Sequence, residues 1–106
     1  MNHDYFFLEN FYLLLRNGYS IQQVLEICYS IEPHKEIINI QDLLLEGYSV
    51  EDAIQKSHLP PVFKEYFHFF QKKNNLSQAI ENSLNICKMQ NSYVKKIQKE
   101  LSYPCM

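Results

Sequence analysis

Hydrophobic residues recur along the chain with the spacing of α-helices, and no stretch alternates with the period of two that is typical of β-strands. Gly18, Pro33, Gly47, the Pro60-Pro61 pair and the Asn74-Asn75 pair divide the chain into six segments. Gly and Asn suit the left-handed residue that closes a helix, and Pro is tolerated in a first turn but not in a helix interior. The pattern therefore predicts an all-α domain of six helices.

Each segment carries its own start and stop signals. Three predicted helices have an oxygen-bearing side chain just before their first apolar residue, which is the usual N-cap. These predicted caps are Ser20, which forms a capping box with Gln23, Ser49, and Asn75. The first, third and fifth predicted helices span about 4–17, 34–46 and 61–72, and the sixth, capped by Asn75, ends at about 99. The second predicted helix begins at 21 and the short fourth at 50. At 1.5 Å per residue the sixth would be about 36 Å long.

A short unit repeats along the chain. The segment 13–21 (LLLRNGYSI) recurs over 43–50 as LLLEGYSV, and 75–80 (NLSQAI) is a weaker third copy. The shared unit is an apolar helix end, a Gly stop, a Tyr, and a Ser that caps the next helix. Repeated helix–turn–helix hairpins of this kind favour an antiparallel bundle with a long last helix.

Composition narrows the class of protein. A chain of 106 residues with 7 Phe and 8 Tyr can bury a core as a single domain spanning 1–106, so we expect an ordered domain rather than intrinsic disorder. The net charge of −2 gives no sign of direct nucleic-acid binding. The odd, widely spaced Cys28, Cys87 and Cys105 indicate a reducing compartment and mostly buried thiols. The N-terminus has no secretory signal, and the longest apolar run, 11–15, is too short to span a bilayer.

The residues offer little for catalysis, metal or cofactor binding. Glu65 and His68 share a helical face, but di-iron bundles need that E-x-x-H spacing twice, and it occurs once. There is no G-x-S-x-G motif and no glycine-rich phosphate loop. We therefore expect no enzyme activity, no cofactor and no metal. A small metal-dependent enzyme is the weakest alternative, and stoichiometric metal on elemental analysis would reveal it.

The fifth predicted helix is the main candidate for protein interaction. Its apolar residues occupy more than one helical face: Val62, Phe63, Tyr66, Phe67, Phe69 and Phe70. Of these, Phe63, Tyr66, Phe67 and Phe70 are the candidate interface residues. Packing against a single core would leave rings exposed, and exposed apolar surface is typical of an interface. A central helix that is buried on several sides would explain the same pattern, so both interpretations stay open here.

The sixth predicted helix carries apolar residues seven apart, which is typical of a coiled-coil seam. Ordinary bundle packing accounts for its first half. Its second half, with Val94, Ile97 and Leu101, is a candidate for pairing with a second copy or for connection to a membrane.

Four stretches, in order and with matching spacing, resemble one known family over nearly the whole chain. Residues 7–20 (FLENFYLLLRNGYS) are similar to its opening F-x-x-x-L-x-x-L-L-x-x-G, and 45–54 (LEGYSVEDAI) to its G-x-S-(L/V)-x-(D/E)-A-(L/I). Residues 75–80 stand where the family has G-x-L-x-x-(A/V)-L, and 101–104 (LSYP) resemble the L-x-Y-P before its first membrane helix. The chain thus resembles the type II secretion F family, and most closely its competence branch.

The resemblance implies a non-catalytic cytoplasmic scaffold domain of an inner-membrane platform protein for type II secretion, type IV pili or the competence pseudopilus. It implies a cytosolic assembly ATPase and the pilin machinery as partners, homo-oligomerisation, and a membrane helix directly after 101–104. Lys95, Lys96 and Lys99 would then mark the cytoplasmic side of that boundary. The alternative is a stand-alone soluble adaptor that dimerises through its last helix.

The chain departs from the family at the turn before the last helix. The family's G-E-x-x-G reads Phe70-Gln71-Lys72-Lys73-Asn74. Asn74 is expected to replace the turn glycine, because Asn tolerates the left-handed region. Gln71 cannot act as an anionic ligand, which leaves any charge pairing or metal binding by the family's Glu open.

Overall fold

The computed structural model describes the backbone of residues 3–102 and the side chains of residues 3–90. Regular structure in that range is entirely α-helical, which confirms the predicted all-α fold. Six helices follow one another: α1 (His3–Arg16), α2 (Ile21–Ile31), α3 (Lys35–Leu45), α4 (Val50–Lys56), α5 (Pro61–Phe70) and α6 (Leu76–Ser102).

The repeated sequence unit folds as a repeated structural unit. In the first copy Tyr19 N–H donates to Leu14 O at 3.2 Å and Gly18 N–H to Leu15 O at 3.1 Å. The second copy has the same two bonds, from Tyr48 N–H to Leu43 O and from Gly47 N–H to Leu44 O. Both are Schellman motifs, and Gly18 and Gly47 adopt φ of 96° and 100°, where a side chain would be strained.

The caps explain where the next helices begin. Ser20 Oγ accepts from Gln23 N–H, and Gln23 Oε1 in turn accepts from Ser20 N–H, so α2 starts with a full capping box. Ser49 Oγ accepts from Asp52 N–H at 3.1 Å at the start of α4. Asn75 Oδ1 accepts from Gln78 N–H at 2.8 Å at the start of α6.

The turn before α6 differs from the expected glycine-like turn. Among the described residues only the two glycines have positive φ, so Asn74 is not left-handed and that expectation was wrong. Instead Asn74 donates to Phe70 O twice, from its backbone N–H at 3.0 Å and from Nδ2 at 3.1 Å. The amide side chain thus satisfies a helix-end carbonyl without the conformation that glycine would need.

The core is organised around α6, against which both α1 and α5 pack. Arg16 pairs with Glu81 at 3.6 Å and Glu9 with Lys88 at 2.9 Å, so α1 runs antiparallel to α6. α5 joins α6 through the short turn at 71–75. The buried stripe of α6 that both helices cover consists of Ala79, Ile80, Ser83, Leu84 and Cys87.

A buried carboxylate ties α3 to the loop between α4 and α5. Glu36 is 2% exposed, and its Oε1 accepts from His58 N–H at 2.8 Å and from Asn39 Nδ2 at 3.0 Å. Burial raises the pKa of the Glu36 carboxyl, but these hydrogen bonds and the nearby imidazoles of His58 and His34 outweigh it. The pKa therefore lies below its ordinary value, and the ionised form is the one that the fold favours.

We expect Glu36→Gln to lower the free energy of unfolding at pH 7 by about 1–3 kcal/mol, since a buried charge-assisted network is weakened. Because the pKa of Glu36 is lower folded than unfolded, its contribution is present above the ordinary carboxyl pKa of 4.5 and is lost as pH falls through the folded value. Urea unfolding from pH 7 to pH 3 should therefore show the difference between wild type and variant shrinking.

Glu65→Gln is the matched control, because Glu65 is exposed and a surface substitution is expected to stay within about 0.5 kcal/mol of wild type. A Glu36→Gln difference that stays constant across this pH range would show that the carboxylate charge does not stabilise the fold.

Candidate partner-docking surface

The aromatic residues of α5 divide into two sets. Phe63 and Phe67, one turn apart, are fully buried at 0% exposure, with their rings stacked at a centroid distance of 5.9 Å. The prediction that these two rings take part in an interface is therefore corrected: they belong to the core. Their spacing of four places both on the face of α5 that packs inward.

The remaining rings of α5 reach the surface. Tyr66 and Phe70 are half-buried, and Phe69, whose ring meets Phe70 edge to face at 5.2 Å, is 54% exposed. With Ile86 from α6 they line an open cleft of about 360 Å³ between the two helices. We refer to Tyr66, Phe69, Phe70 and Ile86 as the aromatic face.

Polar groups frame the aromatic face. Gln90 Nε2 donates to Tyr66 OH at 2.9 Å and so links α6 to α5, while Lys73 Nζ lies 5.0 Å from the centroid of the Phe69 ring. An apolar centre with a polar and cationic rim is the composition of a protein-interaction surface. Chemically, the arrangement can exclude water from a partner's apolar side chains.

The two cysteines within the described side chains are suited to packing rather than to reaction. Cys28 and Cys87 are buried and free. Burial raises the pKa of the Cys28 thiol to about 11. Burial also raises the pKa of Cys87, although a hydrogen bond with Tyr5 opposes the shift. A thiol that stays protonated at neutral pH is a poor nucleophile and a poor metal ligand.

Glu65, His68 and Gln71 do not combine into a metal site. Glu65 and His68 are exposed, and Gln71 Nε2 lies 3.4 Å from His68 Nδ1, while Gln71 Oε1 is buried with no hydrogen-bond partner. Over residues 3–90 no group of three His, Cys, Asp or Glu side chains could hold a metal ion. The residues at this turn do not fit the ligand role that a family Glu could have.

Several residues singled out from the sequence lie outside the described side chains. They are Val94, Ile97 and Leu101 of the predicted seam, Lys95, Lys96 and Lys99 of the predicted membrane-proximal cluster, and Cys105. Conversely, Ile86 belongs to the aromatic face and was missed. No local signal in the sequence marks Ile86, because its place beside α5 depends on how the two helices pack.

A helical bundle that presents an apolar face between two of its helices defines a structural class: all-α bundle domains with an exposed apolar surface. The particular member of that class follows from comparison with known proteins. The chain belongs to the family of type II secretion system (T2SS) protein F, whose family model matches residues 7–106. No curated protein and no solved structure matches the chain.

Membership places the chain among the platform proteins of type II secretion systems and type IV pili, a family of inner-membrane components that are not enzymes. In the part of the chain that the structure describes, we find no helix with both the length and the apolar character needed to cross a bilayer.

We expect the two sets of α5 rings to respond differently to truncation. Phe67→Ala should lower the free energy of unfolding by about 3–5 kcal/mol, because it leaves a cavity in the core. Phe69→Ala should cost less than about 1 kcal/mol, because the ring is largely in solvent. Chemical denaturation of both variants measures the difference. Equal losses would mean that Phe69 is a core residue and that the aromatic face does not exist as described.

Proposed function

We propose that this chain is the cytoplasmic scaffold domain of an inner-membrane platform protein, of the competence pseudopilus branch, that couples a cytosolic assembly ATPase to pilin polymerisation. The observation that carries the proposal is the aromatic face, an apolar surface held by the two packed helices α5 and α6 in a chain of this family. As part of this proposal, and as the family resemblance implies, a membrane helix follows Tyr103-Pro104.

The architecture suits the transmission of force. α6 has 27 residues and so is about 40 Å long, and its buried stripe couples it to both α1 and α5. A displacement applied to α5 reaches α6 through close-packed side chains, because protein interiors are packed as densely as organic crystals. Since α6 leads towards the proposed membrane boundary, it is the element that would deliver the movement there.

The aromatic face suits the docking of the cytosolic machinery. Phe and Tyr are enriched at the centres of interfaces, where a few buried aromatic anchors supply most of the binding energy. Tyr66 and Phe69 are already oriented, by Gln90 and by Lys73, so little side-chain freedom is lost on binding. We place the assembly ATPase on this face, with self-association of the domain as a second use of the same rings.

The test is a double variant, Tyr66→Ser/Phe69→Ser, in the full-length protein within its own cells. We expect co-purification with the assembly ATPase to fall by about tenfold or more, since interface hot spots contribute about 2 kcal/mol or more. DNA uptake or pilus assembly should fall with it, while circular dichroism and thermal unfolding of the 106-residue chain show that it still folds.

Ile31→Gln is the matched control, because Ile31 is 51% exposed and lies on α2, away from the aromatic face. It removes a similar exposed apolar side chain and should leave ATPase binding and assembly unchanged. Wild-type binding and assembly in the double variant would refute the docking role, and equal losses in the control would show that the effect is not specific to this face.

A further inference from the structure

A second apolar surface lies on the α2–α3 hairpin. Two adjoining clefts of about 230 Å³ each run along the junction of these antiparallel helices, and both are lined by Leu25 and Gln41. Tyr29 and Ile38 lie at one end, and Ile21 and Leu45 at the other. We call this continuous surface the hairpin groove. It shares no residue with the aromatic face.

The hairpin groove exposes large apolar side chains that contribute little to the stability of the folded chain. Leu45 is 81% exposed, Ile38 is 46% exposed, and Tyr29 is similarly exposed. Polar residues at these helical positions would cost the folded chain little. Contiguous apolar surface of this kind usually marks a binding site.

The shape of the groove fits a helix. α2 and α3 have 11 residues each, or about 16 Å of helix, and the groove follows their length. A furrow between two helices accepts an amphipathic helix whose apolar residues recur at i, i+3 or i+4, and i+7. Three turns of such a helix would span the groove from Tyr29 to Leu45.

Charge identifies the kind of helix. Glu26 lines the groove, and Asp42 and Glu46 follow on the exposed surface of α3 and its C-terminal end. None of the three forms an ion pair among the described side chains. Residues 21–46, from the start of α2 to the end of α3, contain five acidic residues and one basic residue, a net charge of −4. One of the five, Glu36, is buried, and the other four remain acidic at or near the surface.

We propose that the hairpin groove docks a short amphipathic helix with a lysine- or arginine-rich polar face, supplied by a partner protein. The apolar stripe of that helix would cover Tyr29, Ile38 and Leu45, and its basic flanks would face Glu26 and Asp42. Opposite charges at the rim speed association and select the partner, while burial of the apolar stripe supplies the affinity. The proposal does not depend on the function assigned to the aromatic face.

The same groove could in principle accept the lysine-rich segment of α6 from a second copy. That contact would join two different surfaces, and such contacts form open chains unless their rotation closes a ring. A partner helix has no such constraint, so we assign the groove to a partner and leave a second copy as an outcome of the test.

The probe is a fluorescein-labelled synthetic amphipathic helix of about 20 residues, above the length of about 12–15 residues below which isolated helices are marginal, with Leu on one face and Lys on its flanks. Its matched control carries Glu in place of every Lys. Fluorescence anisotropy with the 106-residue chain should show the Lys peptide binding at least about tenfold more tightly than the Glu peptide. The preference should weaken as salt is raised, because rim charges are screened.

Two pairs of variants locate the binding. Ile38→Gln/Leu45→Gln should weaken binding of the Lys peptide at least about tenfold. The matched control Val62→Gln/Met89→Gln, which removes similarly exposed apolar residues from α5 and α6, should not. Glu26→Gln/Asp42→Asn should reduce the preference for Lys over Glu, whereas Glu65→Gln should leave it intact. All of these positions are exposed, and circular dichroism checks that each variant folds.

Three outcomes would overturn the proposal. They are absence of binding by the Lys peptide, equal binding of the two peptides, and equal loss in the Val62→Gln/Met89→Gln control. Light scattering supplies a fourth outcome. If the wild-type chain forms a concentration-dependent oligomer and Ile38→Gln/Leu45→Gln dissociates it, the groove binds a second copy instead.

Discussion

The rest of the bundle depends on the packing of two helices against the buried stripe of α6. Ala79 and Ser83 are small and fully buried, which lets neighbouring helices approach closely, and Ser83 keeps its hydroxyl satisfied by donating to Ala79 O at 2.7 Å. Ile80 and Leu84 supply the apolar area that the neighbours cover. Removing Ile80 and Leu84 from water is worth about 1.5–3 kcal/mol each, a large share of the stability of a domain this size.

That packing also decides what remains on the surface. Once Phe63 and Phe67 of α5 are committed to the core, the geometry of a helix directs Phe69 elsewhere, because Phe69 is six residues from Phe63 and two from Phe67 and so shares a face with neither. Tyr66 and Phe70, three residues after Phe63 and Phe67, lie at the edge of the buried face and are half-buried. The exposed rings are therefore held by a rigid element rather than by a loop. A surface on such an element can transmit displacement, as the function proposed above requires.

Much of the fold could be predicted because its signals are local. The Schellman turns at Gly18 and Gly47 and the cap at Ser20 depend on a few adjacent residues, so the repeat was visible in the sequence. The conformation of Asn74 could not be predicted from the sequence, because an Asn can close a helix either by a left-handed backbone or by its side-chain amide. The packing of helices that are distant in sequence decides which α5 rings are buried and leaves Leu45 exposed. The periodicity of apolar residues within one helix does not contain that information.

Native-state hydrogen exchange of the 106-residue chain tests most directly whether α6 is the axis on which the bundle depends. The account predicts that amides of 80–87 exchange only through global unfolding, together with those of 7–11 in α1 and 63–67 in α5. Amides of the α2–α3 hairpin should exchange through smaller openings at lower free energy. If the hairpin were the most protected element, or if α6 opened independently of α1 and α5, the account would be contradicted.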